Sequence, residues 1–193
     1  RRDCVERARR LSRWLMTAAP SAATVATAAE WQTDDGAFVD WARFRLLGGD
    51  ELPELGHAYS AVRTAVIDRR NVFAKAFSQA LVQWNADMPG SSARVIPVED
   101  VLTRVVAPIA VDHAVLLLVM DGLSTSIFRE LFARLEGLGW NEVVSAQTGR
   151  PLAGFAALPT ITEVSRASLL CGRLTTGGSA QEKSAFTSHA ALL

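Results

Sequence analysis

The chain has 193 residues, and its 20 Lys and Arg residues balance its 20 Asp and Glu residues to a formal net charge of zero. Hydrophobic residues make up 49% of the chain, which is ordinary for a globular protein of one or two domains and excludes an intrinsically disordered one. The balanced charge argues against a protein whose main task is to grip nucleic-acid phosphates, although it leaves room for a local basic patch.

The cysteines and the chain ends give weaker indications of where the protein works. Its two cysteines, Cys4 and Cys171, build neither a zinc-binding spacing nor a disulfide framework, which fits a reducing compartment. Neither a secretory signal nor a membrane-spanning run is evident, so we expect a cytoplasmic protein without membrane contact. The sequence starts at Arg1 rather than Met and stops at Leu193 without an evident end, so we expect a piece of a longer protein.

The first 110 residues are predicted to be helical. In the basic opening segment, apolar positions recur at helical spacing, which places the arginines on a solvated helix face. Two Ala-rich helical segments follow, at 18–30 and 37–47, and the sequence Asp34-Asp35-Gly36 between them is a turn signal.

The longest apolar stripe runs from about Leu52 to Met88 with a spacing near 3.5 residues, and Arg69 and Arg70 fill its one gap. This pattern predicts either one long helix or a helical hairpin packed in a bundle. Because a regular stripe is usually core, we expect internal packing rather than a docking surface for a partner. The stripe consists of Leu55, Tyr59, Val62, Val66, Phe73, Phe77, Leu81, Trp84 and Met88.

After a predicted break at 88–92, the pattern changes to that of an α/β domain. Residues 95–98 suggest a short extended piece, and Val98-Glu99-Asp100 opens another helix toward Val106. Further on we predict a strand at 114–120, a helix at 124–138 and a strand at 140–146. An extended piece from Ala153 to Leu158 and a helix from Glu163 to Leu170 complete the pattern. Alternation of strands and helices implies a parallel sheet, so we predict a helical region at 1–110 and the start of an α/β domain at 111–193.

The most informative stretch is the apolar run 115–120, which ends at Asp121-Gly122 and is followed at once by a helical segment. A short apolar run of this kind suits a strand buried on both faces of a parallel sheet. Open α/β sheets bind their ligands at the carboxyl ends of the strands, so the Asp121 carboxylate is a candidate for a metal or phosphate site. The alternative is structural, because Asp at a strand end often caps the next helix or starts a turn.

Two threonines precede the last predicted helix, in the sequence Pro159-Thr160-Ile161-Thr162. The main-chain N–H groups of a helix start favour an anion such as phosphate. A threonine hydroxyl becomes a nucleophile when a base or a metal lowers its pKa, and a divalent metal held by Asp121 and Thr162 would do so. Taken alone, a threonine before a helix is more often an N-cap.

Together these motifs resemble the alkaline phosphatase superfamily, in which an apolar strand ending in Asp-Gly is followed by Pro-Thr-x-Thr and then Ser-Leu-Leu-x-Gly. Within that superfamily the chain is similar to the PglZ branch, which belongs to the BREX and phage growth limitation defence systems of bacteria. The helical segment that precedes the predicted strand, through 98–102 and 107–110, is similar to that of the type 2 BREX members. The stretches that carry the resemblance are 98–102, 107–110, Asp121-Gly122, 158–166, 168–172 and 182–186.

The resemblance implies roles for particular residues. Asp121 would be a metal ligand, and Thr162 would be both nucleophile and metal ligand, whereas Thr160 would either bind the phosphate or serve structurally by capping or positioning the turn. Arg166 would either place charge near the phosphate or form a helix-surface ion pair. The family also implies two divalent ions, expected to be zinc, and the hydrolysis of a phosphate ester, with nucleic acid as one candidate substrate. Expected partners are a methyltransferase and an ATPase of the same system.

One departure from the family pattern concerns the metal ligands. The superfamily completes its two metal sites with Asp and His residues well downstream of the nucleophile, and the only histidines here are His57, His113 and His189. None of them is placed to fit, so we expect the chain to carry only the front part of a two-metal site. Two alternatives therefore stay open: a catalytically silent scaffold whose helices bind defence proteins, and another superfamily enzyme such as a phosphomutase or a sulfatase. The context of Cys171 disfavours the sulfatase.

Overall fold

The computed structural model describes residues 1–86 and 95–193, which fall into two compact units. The first unit consists of Arg1–Gly90 together with Ser124–Glu142, and the second of Ser91–Leu123 together with Val143–Leu193. The domain boundary suggested by the sequence near residue 110 lies inside the second unit. The break predicted at 88–92 lies outside the described residues.

The regular elements are numbered in chain order. The helices are α1 (Arg2–Leu15), α2 (Val25–Trp31), α3 (Ala37–Arg45), α4 (Pro53–Ala86), α5 (Ala107–Ala110), α6 (Thr125–Glu136), α7 (Thr162–Cys171) and α8 (Ser179–Thr187). The strands are β1 (Val95–Pro97) and β2 (Ala153–Phe155). Shorter helical turns are π-helical at Gln32–Gly36 and Leu102–Val106 and 3-10 at Val98–Asp100.

The first unit is built on α4, which is one long helix rather than a hairpin. Its apolar stripe packs against α1 and α3, where Tyr59 and Val66 are buried together with Leu11, Val39 and Ala42. Full burial of an aliphatic side chain of this size contributes about 1.5–3 kcal/mol relative to exposure. Internal packing of this part of the stripe is therefore confirmed.

The gap in the stripe is filled by an arginine that caps the end of α1. Arg69 Nη1 donates hydrogen bonds to the main-chain carbonyls of Trp14 and Leu15 at 3.1 and 2.9 Å, and Nη2 donates to that of Thr17 at 3.1 Å. The guanidinium also lies 4.4 Å from the centre of the Trp14 ring. The last carbonyls of a helix lack i+4 N–H donors, so Arg69 supplies hydrogen-bond donors where the helix cannot.

The neighbouring arginine joins α4 to α3. Arg70 Nε and Nη2 donate to the two carboxylate oxygens of Asp40 at 3.1 and 2.9 Å, and Nη2 also donates to Gln32 at 3.1 Å. The guanidinium lies 4.7 Å from the Trp31 ring centre. A two-point contact between a guanidinium and a carboxylate fixes orientation as well as charge.

The turn predicted at Asp34-Asp35-Gly36 is wrong, because these residues lie in the π-helical turn that runs from α2 directly into α3. Gly36 is buried, and a Cβ there would come within 2.8 Å of the side chains of both Trp31 and Gln32. The glycine is thus needed for close packing, not for a chain reversal.

The second unit contains the sheet. β1 and β2 pair in parallel, with Val95 opposite Ala153 and Pro97 opposite Phe155. The short extended piece predicted at 95–98 is confirmed by β1, and the helices predicted at 124–138 and 163–170 are confirmed by α6 and α7.

The strands predicted at 114–120 and 140–146 are wrong for the described part of the chain, because neither segment joins a ladder there. Leu116 and Leu118 are mostly exposed, as are Trp140 and Val143. An apolar run or an apolar–polar alternation shows that a segment suits a sheet, but its N–H and C=O groups also require a neighbouring strand.

The fold is therefore a mixture of helices and a small parallel sheet, which agrees with the predicted α/β class in its coarse sense. Among the described helices, none has the combination of length and hydrophobicity that crossing a bilayer requires.

Tyr59 gives the first unit a specific dependence on pH. Its side chain is buried in the core, and its hydroxyl has no hydrogen-bond partner among the described residues. Burial, with a smaller contribution from the negative charge of Asp50, raises the pKa of the Tyr59 phenol above its ordinary value of 10.0. The folded protein therefore holds the phenolic proton more tightly than the unfolded chain, so this part of the stability is complete below the unfolded-state pKa.

We predict that the stability contributed by the raised pKa of Tyr59 is lost as the pH rises from about 10 through the folded-state pKa. In Tyr59→Phe the free energy of unfolding should fall less over the same pH range. At neutral pH the substitution leaves the protein equally or more stable, because it removes an unpaired buried hydroxyl. Tyr59 is the single tyrosine, so tyrosinate absorbance reports it alone, and all five tryptophans lie in the first unit, so their fluorescence follows its unfolding. An ordinary tyrosine titration in the folded protein would contradict the prediction.

Candidate functional site

Two residues that the sequence singles out meet in the second unit. The Thr162 hydroxyl donates a hydrogen bond of 2.7 Å to Oδ2 of Asp121, across a separation of 41 residues in sequence. The Asp121 side chain is 44% exposed, so its remaining carboxylate lone pairs are accessible to a ligand. The pair combines a potential nucleophile with an acid that orients it.

The chain turns immediately after Asp121. Gly122 has a φ of +73°, in the left-handed region that favours glycine, and no neighbouring atom lies within 4 Å of where its Cβ would be. The glycine is therefore required by the backbone conformation and not by crowding. The turn is closed by the N–H of Leu123, which donates to the carbonyl of Met120 at 3.4 Å.

Thr162 is the first residue of α7 and not its N-cap. Ile161 occupies the N-cap position, and its side chain makes no capping hydrogen bond. The N-cap interpretation of Thr162 is therefore wrong, which leaves its hydroxyl free to bond to Asp121. Thr160, the other threonine of the motif, is exposed in the connection before α7.

Arg166 lies one turn further along α7 and is held by a buried acid from α8. Its Nε lies 3.2 and 3.1 Å from the two carboxylate oxygens of Glu182, and its Nη2 lies 3.1 Å from Oε2. The third nitrogen, Nη1, lies 3.6 Å from Oδ2 of Asp121. Only 6% of the Glu182 side chain is exposed, whereas 33% of the Arg166 side chain is. The ion pair predicted for Arg166 is present, but its acid is buried rather than on the surface.

The Ser168–Gly172 part of the motif is structural. The Ser168 hydroxyl is buried, donates to the carbonyl of Thr175 at 3.2 Å and accepts from the N–H of the same residue at 3.1 Å. Gly172 ends α7 with a φ of +63°, and a Cβ there would lie 2.1 Å from Nε2 of His189. Together these contacts fix the path of the chain between α7 and α8.

The donor set around Asp121 meets only part of what a catalytic zinc requires. Asp121 and Thr162 offer two oxygen ligands, and in the described residues no three His, Cys, Asp or Glu side chains gather into a metal-binding group. A catalytic zinc normally takes three protein ligands and a water. The pair therefore fits one edge of a metal site, and a complete site needs ligands beyond this pair.

Comparison of the chain with protein-family models, with curated proteins and with solved structures returned no match.

Sequence reasoning did not identify Glu182 as part of the site. The residue lies in the segment 182–186 that contributes to the family resemblance, but a lone glutamate at the start of a helix usually faces solvent. The sequence of α8 shows no clear apolar face, so it gives no signal that Glu182 is the residue turned toward α7.

We predict that Arg166→Met destabilises the second unit by roughly 1–3 kcal/mol, because it leaves the Glu182 carboxylate buried without its cation. This is less than for a fully buried pair, since a third of the Arg166 side chain is exposed. The double variant that also carries Glu182→Leu should regain most of the lost stability, because both charges are then replaced by apolar groups. The measurement is the hydrogen-exchange protection of α7 and α8 amides in each variant.

The exposed arginine that follows α7 provides the control, and Arg173→Met should change the protection little. If the single and double variants at positions 166 and 182 were equally unstable, Glu182 would not depend on Arg166 for its burial.

Proposed function

We propose that the chain is part of a PglZ-type, metal-dependent phosphatase or phosphodiesterase of a bacterial phage-defence system. Residues 111–193 would be the beginning of an alkaline-phosphatase-like α/β/α domain. The observation that carries the proposal is the 2.7 Å hydrogen bond from Thr162 to Asp121, since these are the two residues to which the motif resemblance assigns the reaction.

The proposed chemistry uses the Thr162 oxygen as nucleophile. Its Oγ1 would lose its proton and bond to phosphorus as the bond from phosphorus to the ester oxygen breaks, and the departing oxygen would take up a proton and leave as the alcohol. Water would then hydrolyse the phosphothreonine, which releases inorganic phosphate from a monoester or a phosphomonoester from a diester and restores the Thr162 hydroxyl. Asp121 orients the hydroxyl by accepting its hydrogen bond. The main-chain N–H groups at the start of α7 favour the negative phosphate oxygens.

Asp121 and Thr162 would also hold one of the two metal ions, expected to be zinc, together with ligands from elsewhere in the complete protein. The metal's contribution when bound is to make the Thr162 hydroxyl more acidic and to offset the phosphate charge. Arg166 adds a positive charge, with Nη1 3.6 Å from the Asp121 oxygen that accepts the hydrogen bond of the proposed nucleophile.

In the complete parent protein we predict that Asp121→Ala and Thr162→Ala each abolish phosphate-ester hydrolysis, while Thr160→Ala reduces it less. Thr162 contacts the carboxylate, whereas Thr160 lies exposed before the helix. The assay is steady-state release of nitrophenol from nitrophenyl phosphate. If Thr160→Ala were the inactive variant and Thr162→Ala stayed active, the assignment of the nucleophile would be wrong. If all three variants kept full defence function in cells, the scaffold alternative would replace the enzyme.

We further predict that residues 1–193 alone bind divalent metal weakly and turn over little or no substrate, because the Asp121–Thr162 pair supplies only two ligands. Isothermal titration with zinc and the nitrophenyl phosphate assay test this directly. Robust metal-dependent turnover by this chain would show that it contains a complete site.

A further inference from the structure

We infer that Glu182 is a positioning residue for Arg166, and that α8 thereby belongs to the phosphate-binding site. The inference rests on the proposed function for its ligand, but its central contact is independent of metal and substrate. Glu182 contacts one edge of the Arg166 guanidinium, and we infer that the other edge binds phosphate.

A guanidinium carries five N–H donors in one plane. Glu182 occupies the side formed by Nε and Nη2, with contacts of 3.1 to 3.2 Å. Nη1 makes no hydrogen bond among the described residues, and its distance of 3.6 Å to Asp121 is too long for one. The edge formed by Nη1 and the second N–H of Nη2 thus makes no hydrogen bond among the described residues, although Nη1 lies in ion-pair range of Asp121. A guanidinium edge of this kind can bind two oxygens of a phosphate.

Glu182 is suited to hold this orientation because it is buried. With 6% of its side chain exposed, its carboxylate has little access to water and depends on Arg166 for its charge partner. Asp121 is 44% exposed and is hydrated on its open side, so it exerts a weaker hold on Arg166. The arginine is therefore anchored from α8, with its Nη1 3.6 Å from the same Asp121 oxygen that accepts the Thr162 hydrogen bond.

The anchor also limits the contact between Arg166 and Asp121 to a single ion pair, with Nη1 3.6 Å from Oδ2. If Glu182 lost its charge, the nearest remaining carboxylate for the guanidinium would be that of Asp121. A two-point pair between Arg166 and Asp121 would occupy both the edge meant for phosphate and the carboxylate that orients Thr162. Glu182 therefore keeps two functional groups available without contacting either the nucleophile or the substrate.

The test is an NMR measurement on the uniformly ¹⁵N-labelled 193-residue chain. The Nε–H signal of Arg166 is assigned by its disappearance in Arg166→Lys, and its exchange with solvent is measured in variants. Glu182→Gln should speed this exchange at least about tenfold, the effect of losing roughly 1.4 kcal/mol of protection. Asp121→Asn should leave the exchange unchanged within about twofold, the scale of a weak exposed contact.

Glu163→Gln is the matched control, because it removes the same charge from an exposed position three residues before Arg166. Main-chain amide signals of β1 and β2 report whether each variant is folded. If Glu182→Gln does not fold, Glu182→Asp replaces it; this variant keeps the charge but shortens the reach, so it should also speed the exchange. Unchanged exchange in the Glu182 variants, or equal acceleration by Asp121→Asn, would overturn the inference.

A second arm adds inorganic phosphate and follows the same Arg166 signal. Phosphate should shift it in the wild-type chain and shift it less in Glu182→Gln, an effect that a purely structural ion pair would not produce. Exchange that depends on Glu182 without any response to phosphate would leave the anchor intact and count against the proposed phosphate chemistry. The two failures are therefore distinguishable.

Discussion

A carboxylate that is buried away from water requires a cation as partner. In the second unit the cation is Arg166 of α7, which contacts the buried Glu182 of α8 and lies close to Asp121. Glu182 is buried on the side of α8 that faces α7, and Arg166 reaches it with two nitrogens while the third lies near Asp121. Transfer of an unpaired charge into the interior costs several kcal/mol, so the position of the guanidinium is set by the buried acid rather than by the exposed one. The position of Arg166 Nη1 near Asp121, the acceptor of the Thr162 hydrogen bond, therefore depends on Glu182.

In the first unit, too, arginines on a helix pair with polar groups of neighbouring segments. Arg69 satisfies main-chain carbonyls at the end of α1, and Arg70 satisfies Asp40 with two parallel contacts. Both guanidinium groups also lie over aromatic rings, which accept a cation on their faces at little cost in desolvation. In each unit an arginine on a helix therefore fixes the neighbouring segments where apolar packing alone would leave polar groups unpaired.

Local patterns in the sequence predicted most of the helices and one close approach in the site. The stripe from Leu55 onward predicted α4 because helical periodicity is a property of the segment itself. The strands expected at 114–120 and 140–146 failed because a strand exists only with a neighbour, and no pattern within a segment supplies one. The motifs singled out Asp121 and Thr162, and the structure brings them within 2.7 Å. Glu182 was missed because its importance depends on which helix face α8 buries.

The position of Thr162 in its helix decides what its hydroxyl can do. At an N-cap position the side-chain oxygen accepts hydrogen bonds from the main chain, and its lone pairs are then directed into the helix. Thr162 lies one residue later, after an Ile161 N-cap that provides no side-chain acceptor, and its proton is directed to Asp121. With the proton held by a carboxylate, the oxygen lone pairs point away from that bond and stay available to an electrophile. A one-residue shift between cap and helix thus separates a threonine that accepts from the main chain from one that donates to Asp121.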